Sequence, residues 1–125
     1  MKKIEIVKSL WQLFSSADYR KTESILHENL RVIWPTSREL FDSREKFISV
    51  NEAFGHGWSF EVQVIEESVT GKVISVVYVS NKDCDDSFFA TSIFGFENHI
   101  IINIETYWAF KDKQPEWRKD LSVVY

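Results

Sequence analysis

The stretch Asn98 to Phe110, NHIIINIETYWAF, constrains the fold more than any other part of the chain, because it is long, strongly apolar and interrupted by a single acid, Glu105. Such a run reads as one long β-strand. Strict alternation puts Ile100, Ile102, Ile104, Thr106 and Trp108 on one face and Ile101, Asn103, Glu105 and Tyr107 on the other. A carboxylate held in an apolar strand needs partners or a shifted pKa, so Glu105 is where acid/base chemistry or ligand recognition is expected. The competing reading is a structural carboxylate hydrogen-bonded to Arg31, Arg118 or backbone.

The flanking sequence supplies the rest of a domain. Ile4, Val7, Trp11 and Phe14 recur at helical spacing and predict an amphipathic helix over residues 3–15. Asp18 is placed to cap a second helix running to about His27, and Leu30 to Trp34 reads as a short strand stopped by Pro35. TSRELF, 36–41, reads as a connector. Asp42 followed by Glu45 has the form of a helix start, and Phe47, Val50 and Phe54 align behind it until Gly55-His56-Gly57. From Trp58 the period changes to that of strands, over 58–67, 73–80, 87–96 and the long strand itself, separated by short turns. After Phe110 comes a polar, Pro-containing loop and a tail, LSVVY, apolar enough to pack back. Helices followed by an antiparallel meander predict an α+β fold, with the long strands curved around the helices and a cavity inside the curve.

With 125 residues, one domain spanning 1–125 is expected, burying ~65 to 70% of its unfolded surface. Ten Phe and five Trp exceed what a small core usually needs, which points to an aromatic-lined cavity or interface as readily as to a Phe-rich core. A net charge of −4 without a Lys/Arg cluster argues against a nucleic-acid partner. No long apolar segment suggests a membrane partner. Lys2 and Lys3 are followed by charges that interrupt any signal-peptide core, so a cytoplasmic location is expected. Cys84 is the only cysteine and excludes an internal disulfide. His27, His56 and His99 have no metal-ligand spacing, and Asp83, Asp85 and Asp86 lack the calcium-loop pattern, so neither metal nor other cofactor is expected.

The order of elements, together with SADYRKTESILHENLRVIWP, SREKFISVNEAF and IFGFENHIIINIETYW, resembles the nuclear transport factor 2-like superfamily, which includes ketosteroid isomerases and SnoaL-like polyketide cyclases. The resemblance implies a cone-shaped fold with a pocket between curved sheet and helices, and homodimers through the outer sheet face. It puts Asn103, Glu105 and Tyr107 at the pocket, with Ala90, Ser92 and Phe94 from the preceding strand. Where ketosteroid isomerases carry their proton-shuttling Asp, oxyanion-hole Tyr and second oxyanion donor, this chain has Trp34, Leu10 and Ser92, so steroid isomerisation is not expected. Glu105 matches the acid of SnoaL-like cyclases. The reading that follows is a pocket for a small apolar or aromatic molecule, with Glu105 and Tyr107 as catalytic groups of an isomerase, cyclase or dehydratase. Trp34, Phe54, Trp58, Ser92, Phe94 and Asn103 are then ligand contacts. The alternative is a non-catalytic binding or dimerisation module. The apolar face of Ile100, Ile102, Ile104, Thr106 and Trp108 is the expected dimer surface, and Trp117-Arg118 either close the pocket mouth or pack outside it.

Overall fold

The computed structural model describes residues 1–125. Helix α1 (Lys3–Ser15) follows the predicted stripe, burying Ile6, Val7, Leu10, Trp11 and Phe14. The second predicted helix is instead a 3₁₀ helix, Tyr19–Ile25, and the first strand, β1 (Leu26–Trp34), starts four residues earlier than expected. Hydroxyls explain the tighter winding. Thr22 Oγ1 donates to the Tyr19 carbonyl at 2.6 Å and Ser24 Oγ to that of Lys21, so side chains compete for carbonyls an α-helix would use. Asp18 makes no capping bond there.

Within the predicted connector lies a further short strand, β2 (Glu39–Phe41), which pairs antiparallel with the end of β1 through Trp34 opposite Glu39. Pattern alone misses it because three residues carry too little alternation. Helix α2 (Arg44–Phe54) is capped by Ser43, whose hydroxyl accepts from the Lys46 N–H at 3.1 Å. Asp42, the expected cap, instead pairs with Lys46 at 2.9 Å.

The meander is then β3 (Trp58–Glu67), β4 (Val73–Asn81), β5 (Ser87–Glu97) and β6 (Ile100–Phe110). In the six-stranded sheet the order is β2-β1-β6-β5-β4-β3. The meander pairs are antiparallel, whereas β1 joins β6 in parallel, so the sheet is mixed. Its inner face carries Val73, Ser75, Val77 and Val79 from β4 and Ala90, Ser92 and Phe94 from β5, all fully buried beneath the helices. This is the predicted α+β architecture, a curved, unclosed sheet over helices.

One irregularity in β6 decides which of its residues face that core. Phe96 pairs with Ile101 and Gly95 with Asn103, so Ile102 is an extra residue without a partner on β5. A bulge of this kind reverses side-chain parity beyond it. Ile101 is fully buried, as its face requires, but past Ile102 the buried residues are Ile104 and Thr106, and Asn103 and Tyr107 are exposed.

Candidate functional site

A cavity of about 470 Å³ opens between α1, α2 and the concave face of the sheet. Its floor is Leu10, Trp11 and Phe14 of α1 with Phe60, Phe94 and Ile104 of the sheet, and its walls are Trp34, Phe47, Val50, Phe88 and Trp108. Of 19 lining residues, 14 are hydrophobic. The mouth is ringed by Thr36, Ser37 and Glu39 from the β1–β2 hairpin, Ala53 and Phe54 from the end of α2, and Phe110 at the end of β6.

The aromatic walls are held by ring contacts. Trp34 stands edge-on to Trp108 with centroids 5.5 Å apart and to Phe41 at 4.5 Å. Phe88 meets Trp108 edge-on at 5.9 Å, and Trp11 stacks on Phe60 at 5.8 Å. Edge-to-face and offset packing of this kind adds to the stabilisation from area burial and fixes ring orientation. The hairpin that supplies the rim is tied to the wall because Thr36 Oγ1 accepts the Trp108 backbone N–H at 3.3 Å. The α2 side is anchored by Tyr19, whose hydroxyl donates to the Gly55 carbonyl at 2.7 Å and whose pKa burial pushes up.

Most polar groups inside are engaged, although the buried Trp108 Nε1 has no hydrogen-bond partner. Thr106 and Ser92 share a buried hydroxyl–hydroxyl bond at 2.9 Å, and Trp11 Nε1 donates to Ser75 Oγ at 3.1 Å. Asn51 Nδ2 donates to the Phe47 carbonyl one turn back at 2.8 Å, leaving its amide oxygen without a protein donor. The one titratable side chain of the lining is Glu39, exposed at the rim, where its carboxylate accepts a bond from Ser37 Oγ at 2.6 Å.

The structure divides the predicted site residues into three groups. Trp34, Phe54 and Phe94 line the cavity. Trp58 and Ser92 stand one layer behind it, Trp58 stacked on Phe54 at 4.4 Å and Ser92 bonded to Thr106. Asn103, Glu105 and Tyr107 lie on the outer face of the sheet, among none of the lining residues. Their placement corrects the expectation of strict alternation, and the unpaired Ile102 is its physical reason. Glu105 is half-buried, neighbours Ile33 and Ile93 across the sheet, and accepts a hydrogen bond from the Tyr107 hydroxyl that raises the phenol's pKa. By the same reversal Ile104, Thr106 and Trp108, expected on an outer dimer face, are cavity wall. Trp117 is exposed beside Arg118, and neither lines the cavity.

Sequence reasoning missed Phe88, Trp108 and Phe110 as lining, and above all the rim of the β1–β2 hairpin.

A curved sheet capped by helices around an apolar cavity defines the cone-shaped α+β fold of nuclear transport factor 2-like proteins, and solved structures agree. No protein-family model matches the sequence, and no curated protein matches it. A candidate ketosteroid isomerase from Kribbella flavida superposes with a TM-score of 0.84 at 13% identity, over 98% of this chain and 89% of that one. A nuclear transport factor 2-like protein of unknown function from Burkholderia xenovorans gives 0.81 at 21% identity, over 98% and 95%. A candidate SnoaL-like polyketide cyclase from Shewanella putrefaciens gives 0.71 at 9% identity, over 86% and 89%. Superpositions of this closeness at identities this low show a common fold alone and leave activity to be argued from the site.

Proposed function

We propose that this protein binds a small apolar or aromatic molecule in the cavity between α1, α2 and the sheet. The observation that carries the reading is the lining itself, 14 hydrophobic residues of 19 around about 470 Å³. Apolar contact at ~25 cal/mol per Å² of buried surface is the source of affinity in such a site, and a few polar atoms at its mouth set orientation. With Glu105 and Tyr107 on the outer face, the geometry supports binding over acid/base turnover on those residues. N-phenyl-naphthylamine, a neutral apolar fluorophore, tests this directly. Saturable one-site enhancement, lost when Ala53→Trp fills the mouth, is the expected result, and enhancement that never saturates overturns the reading.

The same reading includes a homodimer through the outer sheet face. Ile33 and Phe89 there are 39% and 42% exposed, beside partly exposed Ile74, Val76, Tyr78 and Ile93. An apolar face of this extent, with helices on the other side of the sheet only, calls for a covering partner. Sedimentation is expected to show a dimer at micromolar concentration and a monomer for Phe89→Lys. A wild-type monomer sinks this part of the proposal. No helix is long and apolar enough to cross a membrane, and the exposed, unpaired Cys84 suits the cytoplasmic location expected from the sequence.

A further inference from the structure

The cavity carries charge at one point only, and that charge is uncompensated. Glu39 sits at the mouth, no Lys, Arg or His lines the cavity, and Glu39 takes part in no ion pair. Its one side-chain partner is the neutral Ser37 hydroxyl. Deeper in, Asn51 offers an amide oxygen to which no protein group donates. The strand register fixes the position of the carboxylate, since Glu39 pairs with Trp34, itself a wall residue, at the closed end of the β1–β2 hairpin. That hairpin is held against the cavity by the Thr36 bond to Trp108.

An apolar molecule entering this site meets aromatic walls and a rim of two hydroxyls, Thr36 and Ser37, whose only charge is the Glu39 carboxylate. An anionic end has no cation to meet and loses water against a carboxylate. A protonated amine donates a charge-assisted hydrogen bond to the Glu39 carboxylate, beside the aromatic Trp34 with which Glu39 is paired. We propose that the natural ligand is a lipophilic amine, its apolar body in the aromatic cavity and its ammonium group on Glu39. The proposal rests on the reading of the cavity as a ligand site and adds the ligand's charge and orientation. Because Glu39 is exposed, the preference is moderate and salt-sensitive.

Three naphthalene probes matched in their apolar body test it: naphthylmethylamine, naphthylmethanol and naphthoic acid, titrated at neutral pH with tryptophan fluorescence and calorimetry as readouts. The amine is expected to bind about fivefold more tightly than the alcohol at low salt, with the acid weakest. Glu39→Gln, which keeps an acceptor for Ser37, is expected to abolish the amine's advantage over the alcohol. High salt should reduce the advantage in the wild type alone. If the alcohol binds but the amine is no tighter, or if the advantage survives Glu39→Gln, the assignment of Glu39 is overturned and the apolar-site reading stands. Failure of all three probes to bind overturns both.

Discussion

The Asn103 side chain lies over Gly95: a Cβ placed at Gly95 would stand 2.2 Å from Asn103 Oδ1. The two residues are cross-strand partners beside the unpaired Ile102, so the glycine accommodates the amide where the bulge crowds the strands. Gly95→Ala is expected to destabilise the protein by about 1 kcal/mol, since the amide end has to swing aside. In an Asn103→Ala background the same change should cost nothing. Urea unfolding of the double-mutant cycle measures the coupling, and additive effects would show that the contact does not constrain the bulge.

The Ser92–Thr106 bond lies in the core, with both residues at or below 5% exposure. Thr106→Val removes one hydroxyl and strands the other, which is expected to cost about 2 kcal/mol, whereas adding Ser92→Ala recovers most of the loss. Equal destabilisation by the single and double variants would mean that packing, not the unpaired hydroxyl, sets the cost.

Asn98 and His99 form the β5–β6 turn with φ of 52° and 61°, both left-handed. Two such residues in a two-residue loop are the geometry in which Asn-Gly is preferred, so His99 is strained where glycine would not be. His99→Gly is expected to stabilise by about 1 kcal/mol, read as a raised urea midpoint. A lowered midpoint would show that the imidazole makes a compensating contact.

Acid lability should trace to two carboxylates of the first turn of α2 and its approach. Hydrogen bonding to Arg20 holds Glu45 below its ordinary pKa, and hydrogen bonding to Lys46 does the same for Asp42. A folded pKa below the unfolded one means the contribution is complete above the unfolded carboxylate range and disappears as pH falls through the folded values. Arg20→Gln is therefore expected to make the acid limb of a stability–pH curve shallower by removing the Glu45 share, with the Asp42 share retained and the neutral-to-alkaline part parallel to wild type. Both carboxylates are exposed, so the effect should shrink in salt.

The fold was legible because its long elements repeat one period over many residues. Ile4, Val7, Trp11 and Phe14 specify α1 whatever surrounds them, and β3 to β6 show themselves by alternation and by turn residues at their ends. The site was legible only in part, because parity is cumulative. Alternation puts Ile101 on one face with Asn103, and Ile101 is indeed buried, but one unpaired residue, Ile102, turns every later residue of β6 to the face opposite the one alternation predicts. No local pattern in Ile100-Ile101-Ile102 distinguishes an extra residue from a regular one, since all three are equally apolar. The signal lay on the other strand, where Gly95 faces Asn103. Likewise Trp34, Phe54 and Phe94 were recognisable as aromatic candidates, whereas Glu39 was not, because its position depends on a three-residue strand that forms only against β1.

Beyond Phe110 the chain folds mainly upon itself: the Gln114 side chain donates to Ser122 Oγ at 2.6 Å, while Leu121, Val123 and Val124 remain 81%, 90% and 72% exposed. A segment that buries so little apolar surface contributes little to the folding equilibrium, yet it presents three β-branched or aliphatic side chains and Tyr125 to every other molecule in solution. Exposed apolar surface in residues 121–125 thereby adds to what the protein can stick to without adding to the stability that its aromatic interior supplies.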